Sequence, residues 1–429
     1  MKIKMYNVGF GEAVLLKKSA DGREENLLVD FGSDTPENCI ADIGQTTGKN
    51  INVTTEIYND TKDEEVSILL SHFHMDHIYG ILETDLLDHV CLKRTYIPNL
   101  LFMQSRDNTY SFLQIQILRE IFESVCLFKG KRRTFSLYDL LLKLTNNNAT
   151  LQFIQAGERF DFAGDSYSVL WPDFRKIKVN KKVADSLTKL LRSIDADFND
   201  NGEYTLRFID EYIDALCDVY RKYEKTKGDV VQNLSDVRED LSDIEKLQNR
   251  IIEYYFPLLM NQNKEIMKLI AASIESIKCQ ENRISVVFQD FPCELEANLL
   301  MTGDIPRPEI KKIESQIKDV HYKVVKAPHH GTPTYYWENL PKSDTIMISN
   351  GKPRSQHRKW GKIAYEYAGF YNSNKKCKII CTNYRCQMED LQQRGAQRCS
   401  PCVGVGHFGK LYCKKRRDAN SAISNAIYA

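Results

Sequence analysis

The sequence predicts an α/β protein on three observations: short apolar runs that read as buried strands, polar residues gathered at the ends of those runs, and a long helically spaced stretch between them. Leu27-Leu28-Val29-Asp30-Phe31-Gly32 is an apolar strand closed by an aspartate. Val66-Ser67-Ile68-Leu69-Leu70 is a second strand, and it runs directly into Ser71-His72-Phe73-His74-Met75-Asp76-His77. Further strands are expected at Val169-Leu170-Trp171, at Asn282-Arg283-Ile284-Ser285-Val286-Val287, and at Leu299-Leu300-Met301, which leads to Thr302-Gly303-Asp304. The last two are Val324-Val325-Lys326, leading to Ala327-Pro328-His329-His330-Gly331, and Thr345-Ile346-Met347-Ile348-Ser349.

From about 174 to 281 the texture changes. Leu234, Val237, Leu241, Ile244 and Ile251 follow the three-four step of a helix seam, and Phe208, Tyr212, Leu216 and Val219 repeat it. This is expected to be a helical insertion, a hairpin or small bundle serving as a lid, a substrate clamp, a partner-docking arm or a structural decoration. Phe112 to Phe128, with Leu113, Ile115, Ile117, Leu118 and Ile121, reads as a shorter helix in ordinary core packing.

The run from His72 to His77 holds three imidazoles and a carboxylate in six positions. Imidazole and carboxylate together suit zinc, manganese or iron, and one turn leaving a strand can aim two ligand pairs at two neighbouring ions. A single histidine at a strand end is more often packing or capping; a cluster of this density points to metal.

The cluster, with Asp30 before it and Asp304 and His329-His330-Gly331 after it in that order, resembles the signature of the metallo-β-lactamase fold, an αββα sandwich. Tyr6-Asn7-Val8-Gly9-Phe10-Gly11-Glu12-Ala13, Val169-Leu170-Trp171-Pro172, the 282–287 segment and His329-His330-Gly331 are similar to the hydrolase domain of competence-type DNA-uptake channels, a branch regarded as metal-dependent nucleases. The match covers roughly 1–173 and 282–372. It implies a domain in two parts, 1–173 and 282–372, interrupted by the 174–281 insertion and followed by a 373–429 extension.

The resemblance implies two divalent ions, zinc or manganese, bridged by Asp304. One would be held by Asp76, His77, Asp304 and His330, with His329 left to touch substrate or leaving group, although sequence does not separate the two histidines. The other would have His72, His74 and Asp304 but lacks the family's usual third His. His89 follows the turn too closely to supply it and is expected to be a surface or core residue, so water or a carboxylate such as Asp173 would have to serve. Asp30 is expected to hold a signature His by hydrogen bond. His357 is a candidate phosphate contact, against the alternative of an exposed histidine. Two ions about 3.5–4 Å apart would activate a shared water as hydroxide, with Asp76 among the catalytic residues, and neutralise an attacked phosphate.

Charge is balanced overall at +1 but divided along the chain. From Lys352 onward there are 16 Lys and Arg against 4 Asp and Glu, and the preceding residues carry −11. Lys375-Lys376 and Lys414-Lys415-Arg416-Arg417, interleaved with Tyr384, Phe408 and Tyr412, suit phosphate contacts and base stacking. Basic tails also serve solubility or an acidic partner. Six of the twelve cysteines lie there: Cys377, Cys381, Cys386, Cys399, Cys402 and Cys413. Cys399-Ser400-Pro401-Cys402 with Cys381 and Cys386, or with His407 or Cys413, is a candidate structural zinc site, the alternative being buried reduced thiols. No signal-like or membrane-length apolar stretch is seen, so a cytoplasmic protein with reduced cysteines is expected.

These observations lead to the expectation of a phosphodiester hydrolase, a nuclease acting on DNA, and the resemblance, whose free-standing relatives lie in bacterial gene clusters for antiviral defence, allows a place in such a system. One alternative keeps the site but changes the substrate to phosphorylcholine, a cyclic nucleotide, a lactam or a thioester, since fold alone does not choose among them. Another, which rests on the same resemblance, makes the chain a component of an assembly, docked through its insertion to a nucleotide-binding sensor protein.

Overall fold

The computed structural model describes residues 1–20, 22–34, 53–99, 110–127, 137–144, 149–197, 207, 210–219, 242–247, 249–250, 264–291, 295–350, 363–364, 367, 377–382 and 425–428. The chain opens with β1 (Lys2–Met5), β2 (Ala13–Ala20), β3 (Arg23–Phe31), α1 (Val53–Thr61), β4 (Glu65–Leu69), α2 (Met75–Glu83), α3 (Leu86–His89) and β5 (Cys91–Pro98). There follow α4 (Phe112–Leu127), α5 (Leu137–Leu144), β6 (Thr150–Ile154), β7 (Arg159–Phe162), β8 (Asp165–Trp171), α6 (Lys181–Asp197) and α7 (Lys264–Glu281). The last part contributes β9 (Val287–Asp290), β10 (Glu296–Met301), α8 (Arg307–Ile317), β11 (His321–Lys326), β12 (Ser343–Ile348), β13 (Lys378–Cys381) and β14 (Asn425–Tyr428).

Two compact units divide these elements: Met1–Pro98 with Ile154–Pro172 and Asn282–Ala429, and Asn99–Phe153 with Asp173–Glu281. In the first unit, one sheet contains β14-β1-β2-β3-β4-β5 in that order, and a second runs β13-β12-β11-β10-β9-β8-β7. Both sheets are mixed. β3, β4 and β5 are parallel neighbours, with Leu28 opposite Ile68 and Leu69 opposite Tyr96. So are β10, β11, β12 and β13, with Leu299 opposite Val324 and Val325 opposite Ile346. Parallel strands need apolar residues on both faces. The fully buried Ile68-Leu69 and Leu299-Leu300 pairs meet that demand.

Side chains of both sheets form one core, in which Val14, Leu16, Leu27, Val29, Leu69 and Tyr96 join Phe160, Tyr167, Phe288, Leu299, Val324 and Met347. Each such aliphatic side chain contributes about 1.5–3 kcal/mol on burial. Helix α2 lies on β3, where the absence of a side chain at Gly80 admits the Phe31 ring. The carboxyl ends of β3, β4, β10, β11 and β12 deliver Asp30, the 71–77 turn, Asp304, His329-His330 and Ser349-Asn350, the usual place for a ligand site in parallel sheets.

The structure departs from the sequence reading in three places. Residues 99–153 group with 173–281 in the second unit instead of forming ordinary core of the first, because the apolar face of α4 packs on α7. Asn282–Ile284 is a 3-10 turn, and strand β9 begins only at Val287; the Asn282 carboxamide turns aside to donate to Tyr335 Oη at 2.9 Å. The 373–429 stretch is not wholly an appendage, since β13 completes the second sheet and β14 pairs antiparallel with β1, placing Tyr428 opposite Lys2.

The second unit is helical where described, apart from the end strand β6, and α6 and α4 both pack on α7. Tyr212, Leu216 and Val219 bury one face of a helix over 210–219, and Ile244 is also buried. Phe208, Leu234, Val237, Leu241 and Ile251 lie outside the described residues. Arg119 is buried between Glu281 and Glu123, its Nε 3.1 Å from Glu123 Oε1. Among the described residues no helix is long and apolar enough to cross a membrane.

Candidate metal centre

Four side chains from three separate segments bring ligand atoms within 4.8 Å of one another: Asp76, His77, Asp304 and His330. Asp76 and His77 open α2, Asp304 follows β10, and His330 follows β11. His77, Asp304 and His330 are buried, while Asp76 keeps partial access to solvent.

The first turn of α2 can approach the strand ends because glycine occupies position 32, where a Cβ would lie 2.5 Å from the His77 backbone. Asp30 sits at φ 56°, a left-handed conformation that costs a residue with a Cβ about 1–2 kcal/mol. That conformation sets its carboxylate against the turn. Oδ1 accepts from Ser71 N at 2.7 Å, and Oδ2 accepts from Ser71 Oγ at 2.7 Å and from His77 Nδ1 at 2.8 Å.

Four imidazoles around the centre have their Nδ1 anchored. His77 Nδ1 donates to Asp30, and His330 Nδ1 donates to the Ser349 carbonyl at 2.9 Å. Ser71 donates its hydroxyl hydrogen bond to Asp30, so its oxygen accepts from His72 Nδ1 at 3.0 Å. Thr332 Oγ1 donates to the His329 carbonyl at 3.0 Å and so accepts from His329 Nδ1 at 2.8 Å. Nδ1 donation leaves Nε2 as the ligating or basic nitrogen in each case, the arrangement found at metal-binding histidines.

Electrostatics follow from the crowding of carboxylates. Burial alone would favour neutral His77, but Asp304, Asp30 and Asp76 raise it well above an ordinary histidine. Burial is outweighed in the same way at His330, where Asp304 and Asp76 push the imidazole up to about 9. Despite burial, the imidazoles in turn hold Asp76 and Asp304 well below the usual carboxylate range. In the cation-free chain two imidazolium protons therefore stand where a cation's charge would be, with His330 Nε2 3.1 Å from Asp76 Oδ2 and His77 Nε2 3.2 Å from Asp304 Oδ2. Lys326, fully buried, bridges Glu12 Oε2 at 3.0 Å and Asp304 Oδ1 at 3.4 Å. Neither Lys326 nor Glu12 stood out in the sequence; the signal was a lysine directly after the apolar pair Val324-Val325.

The second expected cation position would be built on His72 and His74. His72 and His74 are neighbours, with ring centroids 4.7 Å apart, and the buried His72 Nε2 has no hydrogen-bond partner. Yet among the described residues no second group of three ligand atoms draws as close as the first. Asp173, a candidate to complete that set, belongs to the second unit, where Arg175 Nε at 3.0 Å and Lys176 Nζ at 3.1 Å engage it. Burial, with the nearby His77 and His74, keeps His72 well below an ordinary histidine.

His329 is separated from His330 by role. Its ring stacks on Tyr335 at 3.7 Å, its Nε2 is 3.8 Å from Asp304 Oδ2, and burial lowers it to about 4, so it is neutral at pH 7. His89 is exposed and pairs with Asp85 at 3.1 Å, far from ligation chemistry. His357, Cys386, Cys399, Cys402, His407, Cys413 and most of the basic tail lie outside the described residues. Cys377 is buried, its Sγ 3.9 Å from Ser343 Oγ, and Cys381 ends β13. Comparison with known proteins finds no family model that matches this sequence and no curated protein that resembles it significantly.

Proposed function

We propose that this chain is a divalent-metal-dependent phosphodiester hydrolase of the metallo-β-lactamase type, acting on DNA. The observation that carries the reading is the convergence of Asp76, His77, Asp304 and His330 from distant segments on one buried point. Two carboxylates and two imidazoles, once the imidazoles are neutral, present two negative charges and four N and O donors, a match for zinc or manganese. Such an ion supplies Lewis-acid polarisation of water and of an attacked phosphoryl oxygen.

The chain's own residues prepare that chemistry. Asp30 and the Ser349 carbonyl fix the rings of His77 and His330, and Lys326 steadies Asp304 through Oδ1 while leaving Oδ2 toward the histidines. His329, neutral and with its Nε2 lone pair free of Thr332, accepts a hydrogen bond from the attacking water. The two sheets sharing one core agree with the proposed sandwich. The surplus of Lys and Arg after Lys352 favours a polyanion over a small diester as substrate.

The test is hydrolysis by protein reconstituted separately with zinc and manganese, offered single- and double-stranded DNA, RNA and a small chromogenic diester. Asp76→Ala is expected to abolish cleavage of every substrate while circular dichroism stays unchanged. Replacing Lys414, Lys415, Arg416 and Arg417 by alanine is expected to impair polynucleotide cleavage and spare the small diester. Full activity in Asp76→Ala would defeat the metal reading, and equal polynucleotide cleavage after loss of the four cations would defeat the DNA reading.

A further inference from the structure

His329 and His330 both adopt left-handed backbone conformations, φ 45° and 56°, and Gly331 follows at φ 71°. Left-handed residues bearing a Cβ are costly and persist where surrounding groups over-determine them. Every carbonyl of this turn is taken. The His329 carbonyl accepts from Thr332 N at 3.0 Å, and the Gly331 carbonyl accepts from Ala364 N at 2.8 Å. The His330 carbonyl accepts from Asn350 Nδ2 at 2.7 Å.

Asn350 is itself fully buried and fastened in place. The parallel ladder between β12 and β13 ends at Ile348 opposite Cys381, and beyond it the hydroxyl of Thr382 takes over the pairing. Thr382 Oγ1 accepts from Asn350 N at 2.9 Å and donates to the Asn350 carbonyl at 2.8 Å, while Thr382 N donates to Ile348 O at 3.1 Å. Ser349, the residue before, holds the His330 ring through its carbonyl and donates its own hydroxyl to Gly11 O at 2.7 Å. Adjacent residues thus grip the ring and the backbone of one histidine.

We infer that Asn350 and Thr382 are positioning residues for His330: the Thr382 hydroxyl fixes Asn350, and the Asn350 carboxamide holds the left-handed turn that aims His330 Nε2 at the cation position. The inference rests on the proposed metal centre and assigns part of its pre-organisation to a polar relay from β13. A hydroxyl is required because one atom must both donate and accept; valine at 382 has the shape and lacks both functions.

The experiment is titration of metal-depleted protein with cobalt(II), read by its visible ligand-field absorption and by equilibrium dialysis, for the wild type, His330→Ala, Asn350→Ala, Thr382→Val and Thr382→Ser. Asn350→Ala and Thr382→Val are expected to weaken cobalt binding about 10–100-fold, the usual effect of losing a group that holds a metal ligand in place, and to alter the spectrum. Thr382→Ser is expected to restore both. Equal cobalt binding by the wild type and His330→Ala would overturn the metal centre, and this inference with it. Loss in His330→Ala beside wild-type affinity and spectrum in Asn350→Ala and Thr382→Val would overturn the positioning claim alone. Should Asn350→Ala fail to fold, the Thr382→Val and Thr382→Ser pair decides the question.

Discussion

Asp30 touches no reacting group and yet organises the centre, because one carboxylate takes the backbone N–H of Ser71, the Ser71 hydroxyl and the His77 ring. Asp30→Asn is expected to cut divalent-cation affinity about 10–100-fold with the fold intact, measured by dye competition and circular dichroism. Protonation gives a second prediction at this scale. His330 titrates near 9 in the cation-free chain, so cation uptake at pH 7.5 displaces a proton from it, and calorimetry in buffers of different ionisation enthalpy should show proton release. The stability that His330 contributes without cation is fully present below the ordinary histidine value of about 6.5 and is lost as pH rises through about 9. Melting in chelator should therefore fall across that window, and a melt that rises instead would contradict the placement of His330 beside Asp76 and Asp304. The cluster of His72, His74, Asp76 and His77 was legible in sequence because imidazoles and a carboxylate packed so densely after an apolar strand seldom serve packing or capping alone. Lys326 and Glu12 were not, since a lysine at a strand end reads as exposed until the structure shows a carboxylate on either side of it.

Elements succeed or fail by how closely they approach. Gly32 brings the end of β3 against the first turn of α2, and Gly32→Ala would set a methyl 2.5 Å from the His77 backbone. Its expected cost is about 1–3 kcal/mol in denaturant unfolding, together with weakened cation binding as α2 is displaced. In the second unit, α4 and α7 are joined by the buried Arg119–Glu281 pair. Arg119→Leu leaves Glu281 buried without its cation and is expected to destabilise by about 3–5 kcal/mol, whereas Arg119→Leu with Glu281→Leu should recover most of that loss. Urea titration of both variants checks this, and equal destabilisation in the two would mean the pair is not the cause. The apolar spacing of Leu113, Ile117 and Leu118 announced a buried helix, but periodicity tells which face is buried and not what covers it. Hence the assignment of α4 to the second unit had to come from the structure.

At the scale of the whole molecule, strands far apart in sequence deliver their ends to one place, and the order Asp30, the 71–77 turn, Asp304 and His330 was readable because each follows an apolar run. What sequence order could not give is convergence: among the described residues, Asp76, His77, Asp304 and His330 bring ligand atoms within 4.8 Å of one another. The most direct measurement is an anomalous difference map from a crystal of the protein soaked in manganese or zinc. The account predicts a peak enclosed by Asp76, His77, Asp304 and His330, absent in crystals of His330→Ala. Well-ordered side chains at those four positions with no peak between them would contradict it.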